Sequence, residues 1–180
     1  VDAQVVAGGP DSSHPTIMQQ YIGMINQAQK SICIANPYFL PGEAFFQTLK
    51  VIALQGVEIR LLVPKKSDSI AAMFAMFSQF EELLGAGIQI FLRDDFSHSK
   101  ILIVDNDLVS VGSGNFDIRS FELNYEANIL MYDQDINKEM RAEFNTLCEK
   151  SEQLSLEEFK KRPRWKKFME GLSKFFKPLL

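Results

Sequence analysis

Cysteine and histidine are scarce in these 180 residues, with two of each, and there is one tryptophan. Cys33 and Cys148 sit at no metal-ligand spacing, which excludes a disulfide-stapled scaffold and a zinc finger or ribbon. Cys33 lies in an apolar strand-like run and Cys148 in a helical one, so both are expected as buried free thiols in a reducing compartment. The longest apolar runs, such as Ala71 to Phe77, fall well short of the ~18 residues that cross a bilayer, so neither a transmembrane segment nor a signal peptide is expected. Positive charge is also short overall, 19 Lys and Arg against 23 Asp and Glu for a net −4. The balance is uneven along the chain. Between Lys160 and Lys177 eight Lys and Arg face Glu170 alone, a local +7 that leaves −11 for everything before Lys160. An acidic body is a poor general ligand for nucleic acid, whereas a basic tail suits an anionic surface.

What is present is a chain of single-domain size with 46% hydrophobic and 23% charged residues, enough to bury a core. It opens at Val1, and Gly8-Gly9-Pro10 reads as a linker, as in a piece of a longer protein. Helical spacing of Ile17, Met18, Tyr21, Ile22, Ile25 and Ala28 after Pro15 predicts a helix to about Lys30. Ser31 to Ala35 reads as a buried strand stopped by Asn36-Pro37. A helix from Pro41-Gly42 to Leu54, a strand from Val57 to Val63, one Met- and Phe-rich helix from Asp68 to Leu84 and a strand from Ile88 to Leu92 follow. This alternation predicts an α/β fold, a mixed sheet flanked by helices on both faces.

The rhythm changes at His98. Lys100 to Val104 and Leu108 to Val111 are β-type runs joined by Asp105-Asn106-Asp107, which predicts an antiparallel hairpin. A turn centred on Asn106 sets Lys100 opposite Gly112 and His98 opposite Gly114. Strand alternation places His98 and Lys100 on one face and Asp105 on the other. A loop from Phe116 to Asn124, a strand from Tyr125 to Tyr132, a helix from Gln134 to about Lys150 and shorter helices near Leu156 and after Pro163 complete the chain. An imidazole, an ammonium, a hydroxyl, an amide and the N–H groups of a Gly-Ser-Gly turn, gathered on one sheet edge, suit a tetrahedral anion such as phosphate. The histidine is then free for covalent or acid/base work, and Glu126 on the next strand is the carboxylate expected to orient it. His14, before Pro15 at a helix start, reads as structural.

His98-x-Lys100, four residues, Asp105, six residues and Gly112-Ser113-x-Asn115 resemble, without a gap, the signature of the phospholipase D superfamily. By average residue frequencies such a match arises by chance on the order of once in a million chains of this length. Asn36 to Pro41 and Asp117 to Glu126 further resemble bacterial cardiolipin synthases, and Gly8 to Asp11 and Lys177 to Leu180 fit the C-terminal half of that family. Ser113-Gly114 stands where many of these have Thr-Ala, which keeps a hydroxyl in place.

The resemblance implies a phosphatidyltransferase that joins two phosphatidylglycerols into cardiolipin and releases glycerol through a phosphohistidine, with two signature copies facing one site. This chain has one copy, so the partner it needs is the N-terminal half of the same enzyme or a second copy of itself. By the resemblance His98 is the acid/base histidine, Lys100, Ser113 and Asn115 hold phosphate oxygens, Glu126 orients His98, and Asp105 belongs to the signature with a structural role. No cofactor and no metal is implied, and the scattered acids Asp94, Asp95, Asp107, Asp117 and Glu122 read as solvated. Placement at the cytoplasmic face of the cell membrane is implied for the full-length protein, with phosphatidylglycerol as partner and no nucleic acid. The alternatives are a homodimeric single-motif phosphodiesterase or nuclease of the same superfamily and a non-catalytic lipid-binding fragment.

Residues 1–159 are thus expected to form the catalytic domain and 160–180 a basic amphipathic helix. Trp165, Phe168, Leu172, Phe175, Phe176 and Leu179 recur at helical spacing among Lys166, Lys167, Glu170, Lys174 and Lys177. Such a helix either packs on the domain with a solvated basic face or lies on anionic lipid, and the second is expected here. The Met and Phe stripe from Met73 to Phe80 reads as core.

Overall fold

The structure is a computed structural model and describes residues 1–173; Lys174, Phe175, Phe176, Lys177 and Leu179 of the expected amphipathic pattern lie outside the described residues. In chain order the elements are β1 (Asp2–Gly8), α1 (Thr16–Ile25), β2 (Ser31–Ala35), β3 (Phe39–Leu40), α2 (Glu43–Leu54) and β4 (Glu58–Pro64). Then come α3 (Ile70–Phe77), α4 (Phe80–Gly85), β5 (Gln89–Arg93), β6 (Ile101–Val104), β7 (Leu108–Gly112) and β8 (Phe116–Asp117). The chain continues through α5 (Ile118–Glu122), β9 (Glu126–Tyr132), α6 (Gln134–Glu149), β10 (Glu152–Gln153), α7 (Leu156–Lys160) and α8 (Arg164–Ser173).

One sheet runs in the order β1-β9-β7-β6-β2-β4-β5-β10. β2, β4 and β5 are parallel and joined through helices, while β6, β7, β9 and β1 continue the sheet antiparallel. The sheet is therefore mixed. Central strand β2 is apolar on both faces because both are covered: Ile32 and Ile34 face the large core under α1 to α4, and Cys33 and Ala35 the smaller one under α6. The α/β architecture with helices on both faces is the expected one. The β6–β7 register, Ile101 opposite Val111 and Val104 opposite Leu108, is also that predicted from a turn centred on Asn106.

Three local expectations are corrected. The linker-like start is edge strand β1, paired with β9 from Asp2–Tyr132 to Gly8–Glu126. Gly8 and Gly9 serve close approach there, since a Cβ would lie 2.7 Å from Thr16 Oγ1 and 2.3 Å from Tyr125 Cδ1 respectively. The single helix over 68–84 is broken at Ser78-Gln79. Gln79 turns inward so that its Nε2 donates to Phe39 O at 3.3 Å, and Phe80 enters the core. The loop 116–124 contains α5, whose cap is Asp117, accepting the Ser120 N–H at 2.7 Å.

Candidate active site

Lys100 immediately precedes β6, and its side chain is buried on the α1 side of the sheet. Its Nζ donates to the His98 carbonyl oxygen at 2.9 Å and lies 2.9 Å from Nδ1 and 3.3 Å from Nε2 of the His98 ring. Burial pushes the Lys100 ammonium below its ordinary pKa, and the negative charges of Glu126 and Asp117 act against that shift. His98 itself is exposed, its ring 6.1 Å from that of Phe96, which stands edge-on to Tyr38. The imidazole is thus open to solvent on one side and tethered to a buried amine on the other.

The turn from Gly112 to Asn115 returns beside Lys100, with the Gly112 N–H donating to Lys100 O at 3.3 Å. Ser113 locks onto the start of β9: its N–H donates to Ala127 O and its Oγ accepts the Ala127 N–H, both at 3.0 Å. That leaves its hydroxyl hydrogen only a 3.5 Å contact to Ala127 O. Asn115 Oδ1 is buried and has no hydrogen-bond partner among the described residues. Asn115 also lines a cavity of about 260 Å³ with Tyr38, Ser69, Asp117 and Arg119. Burial raises the pKa of the Asp117 carboxyl despite the hydrogen bonds from Ser120 and Asn115.

Glu126 is placed otherwise than expected. Its Oε1 accepts from Ser120 Oγ at 3.0 Å and Asn124 Nδ2 at 3.4 Å, and no Glu126–His98 hydrogen bond forms within this chain among the described residues. The reason lies in strand order. His98 lies before the start of β6, and β7 separates β6 from β9, which carries Glu126. Asp105 lies in the turn after β6. It sits at φ +44° in the hairpin and accepts the N–H groups of Gln29, Lys30 and Ser31, each at 2.8 Å. Burial acts to raise its pKa, but these three donors and Arg141 outweigh it and hold the carboxyl below the usual range.

A buried polar network under the turn escaped the sequence reading. Asn128 Oδ1 accepts the Gly114 N–H at 3.3 Å, Asn128 Nδ2 donates to Gln20 Oε1 at 3.0 Å, and Gln20 Nε2 donates to Ser110 Oγ at 2.8 Å. Tyr21 Oη donates to Gly114 O at 2.8 Å while its ring stacks on Phe116. The available signal was polar Ser110 and Asn128 next to buried Leu108 and Leu130 on the same strand faces. Among the described residues no group of three or more His, Cys, Asp or Glu is arranged to hold a metal ion.

Residues 21–148 match the protein family described as cardiolipin synthase, phospholipase D-like domain. The chain belongs to this family. It is 43% identical over 178 residues to cardiolipin synthase 2 of Bacillus anthracis, covering 98% of this chain and 35% of that protein. It is 39% identical over 181 residues to cardiolipin synthase of Staphylococcus aureus strain Mu50, covering all of this chain and 37% of that protein. The chain therefore spans about a third of the length of these relatives. In fold it is similar to Nuc, a phospholipase D family member from Salmonella typhimurium, with a TM-score of 0.72 at 18% identity over 85% of this chain and 97% of that one. It is also similar to phosphatidylserine synthase from Haemophilus influenzae, with a TM-score of 0.78 at 18% identity over 98% of this chain and 45% of that one.

Proposed function

We propose that this chain supplies one half of a phosphatidyltransfer site that makes cardiolipin from two phosphatidylglycerols. The observation that carries the reading is the junction of His98 and Lys100 with the Gly112 to Asn115 turn in a cardiolipin synthase family member. A histidine of the companion half attacks phosphorus; a P–N bond forms and the P–O bond to glycerol breaks. His98 gives its proton to the departing glycerol oxygen. It then takes the proton from a hydroxyl of the second phosphatidylglycerol as that oxygen attacks phosphorus and the P–N bond breaks. Lys100, Ser113 and Asn115 hold the phosphate oxygens, and Lys100 offsets the charge that builds on them. Glu126, engaged by Ser120 and Asn124, acts in this reading on the electrostatics of Lys100, and Asp105 fixes the hairpin.

The companion is the N-terminal half of the same enzyme or a second copy of this chain, working at the cytoplasmic face of the cell membrane on an anionic lipid surface. No cofactor takes part. A second reading, a homodimeric single-motif phosphodiesterase, is favoured by the 97% coverage of the Nuc chain. Mass spectrometry after incubation with phosphatidylglycerol vesicles, with and without the companion half, tests both. Cardiolipin and glycerol that vanish in His98→Ala support the transferase. Plasmid nicking without cardiolipin supports the phosphodiesterase.

A further inference from the structure

Helix α8 is turned inside out. Its buried residues are polar: Glu170 is 3% exposed and Ser173 6%. Its apolar stripe, spaced as one helical face, looks outward, with Trp165 59%, Phe168 70%, Met169 37% and Leu172 45% exposed. The inward face is held by charge. Arg162 donates to Glu170 through Nε at 2.9 Å and Nη2 at 2.7 Å, and to Glu81 of α4 through Nη1 at 2.9 Å. Its guanidinium also lies 4.1 Å from the centre of the Phe159 ring. This clamp engages Glu170 and Glu81. Arg164 and Lys166 are exposed next to the stripe on the same helix, with Lys166 Nζ 5.8 Å from the Trp165 ring, while Lys160 and Lys167 lie beside Glu81 on the inward side.

Helix α3 extends the same surface toward the site. Ile70 is exposed, and Phe74 meets Trp165 edge-on with ring centres 6.5 Å apart. The first turn of α3 serves the cavity: Ser69 and Ala72 line it together with Asn115. One helix therefore joins an outward aromatic stripe to the cavity beside the anion-binding turn.

We infer that the α8 stripe and the adjoining end of α3 dock this chain on an anionic phospholipid bilayer, with the aromatic side chains in the interfacial layer and the lysines against lipid phosphates. Charge complementarity selects this occupant. Aromatic and aliphatic side chains ringed by cations match the chemistry of an anionic membrane interface. The inference rests on the proposed use of a lipid substrate and adds the surface that brings the site to it.

Trp165, the single tryptophan of the chain, is its own reporter. Emission is recorded while phosphatidylglycerol vesicles, and separately phosphatidylcholine vesicles, are added to the chain. A blue shift that saturates with phosphatidylglycerol, weakens in salt and is at least about tenfold weaker for Phe168→Asp and Leu172→Asp supports the inference. Both substitutions sit on exposed positions, so far-ultraviolet circular dichroism is expected to be unchanged. Absence of a shift with phosphatidylglycerol, equal binding by the Asp variants, or a parent dimer that Phe168→Asp converts to monomer would overturn it. The readout needs no turnover. A chain that docks but makes no cardiolipin even with its companion half defeats only the transferase reading, and one that makes cardiolipin with that half but does not dock defeats only this inference.

Discussion

Asn128 Oδ1 reaches up from β9 to take the N–H of Gly114, and the same oxygen lies 2.1 Å from where a Cβ on Gly112 would stand. One buried amide therefore shapes the Gly112 to Asn115 turn twice, by a bond to one glycine and by contact with the other. Tyr21 secures the opposite side of the Gly114 peptide.

Gly112→Ala is expected to be costly. The new methyl would also lie 2.5 Å from Ala127 O, a backbone atom that moves only with β9. A loss of about 1 to 3 kcal/mol in urea unfolding is expected, together with loss of transfer activity. Gly23→Ala is the control. Gly23 lies inside α1 with no atom within 4 Å of its Cβ position, so a gain of about 0.5 to 1 kcal/mol is expected.

Asp105→Asn should show a pH-dependent cost. The folded-state pKa of Asp105 is depressed, so its contribution is present above the unfolded value of ~3.9 and lost as pH falls through the folded value. Asparagine tolerates the φ of +44° but offers a neutral acceptor to three N–H groups. Denaturant melts are expected to show a deficit of about 1 to 2 kcal/mol at pH 7 that shrinks as pH falls below the unfolded value of ~3.9. A deficit independent of pH would contradict this assignment.

Lys100→Met should leave the fold intact and remove function. The buried stem is nearly isosteric with methionine, and desolvation of the ammonium is relieved. Glycerol release by the paired halves is expected to fall by about two to three orders of magnitude with an unchanged melting temperature, as for the loss of one charge-stabilising donor.

The two thiols should be silent in the native chain. Both are buried and free, and burial pushes Cys148 up to about 12. Burial also raises Cys33, against the pull of Arg60 and Arg141. Titration with an aromatic disulfide at pH 8 is expected to find almost no reactive thiol until denaturant is added, and then two.

Much of the scaffold was legible in one dimension because its causes are local. Apolar periodicity and turn residues are enough to mark β2, α2, β4 and the β6–β7 hairpin. The hairpin register brings the Gly112 N–H to the Lys100 carbonyl oxygen. What failed was long-range. The partner of β1 lies more than 100 residues away, so nothing near it in sequence marks the strand that ends at Gly8, and Gly8-Gly9-Pro10 reads as a linker. The break at Gln79 depends on a carbonyl of β3, and strand order gave Glu126 to Ser120 and Asn124. Periodicity identified the two faces of α8 but not which one points inward. That was decided by Arg162, whose pairing with Glu170 and Glu81 buries the polar side and leaves the aromatic side outward, because charge pairing across elements is a property of three-dimensional packing.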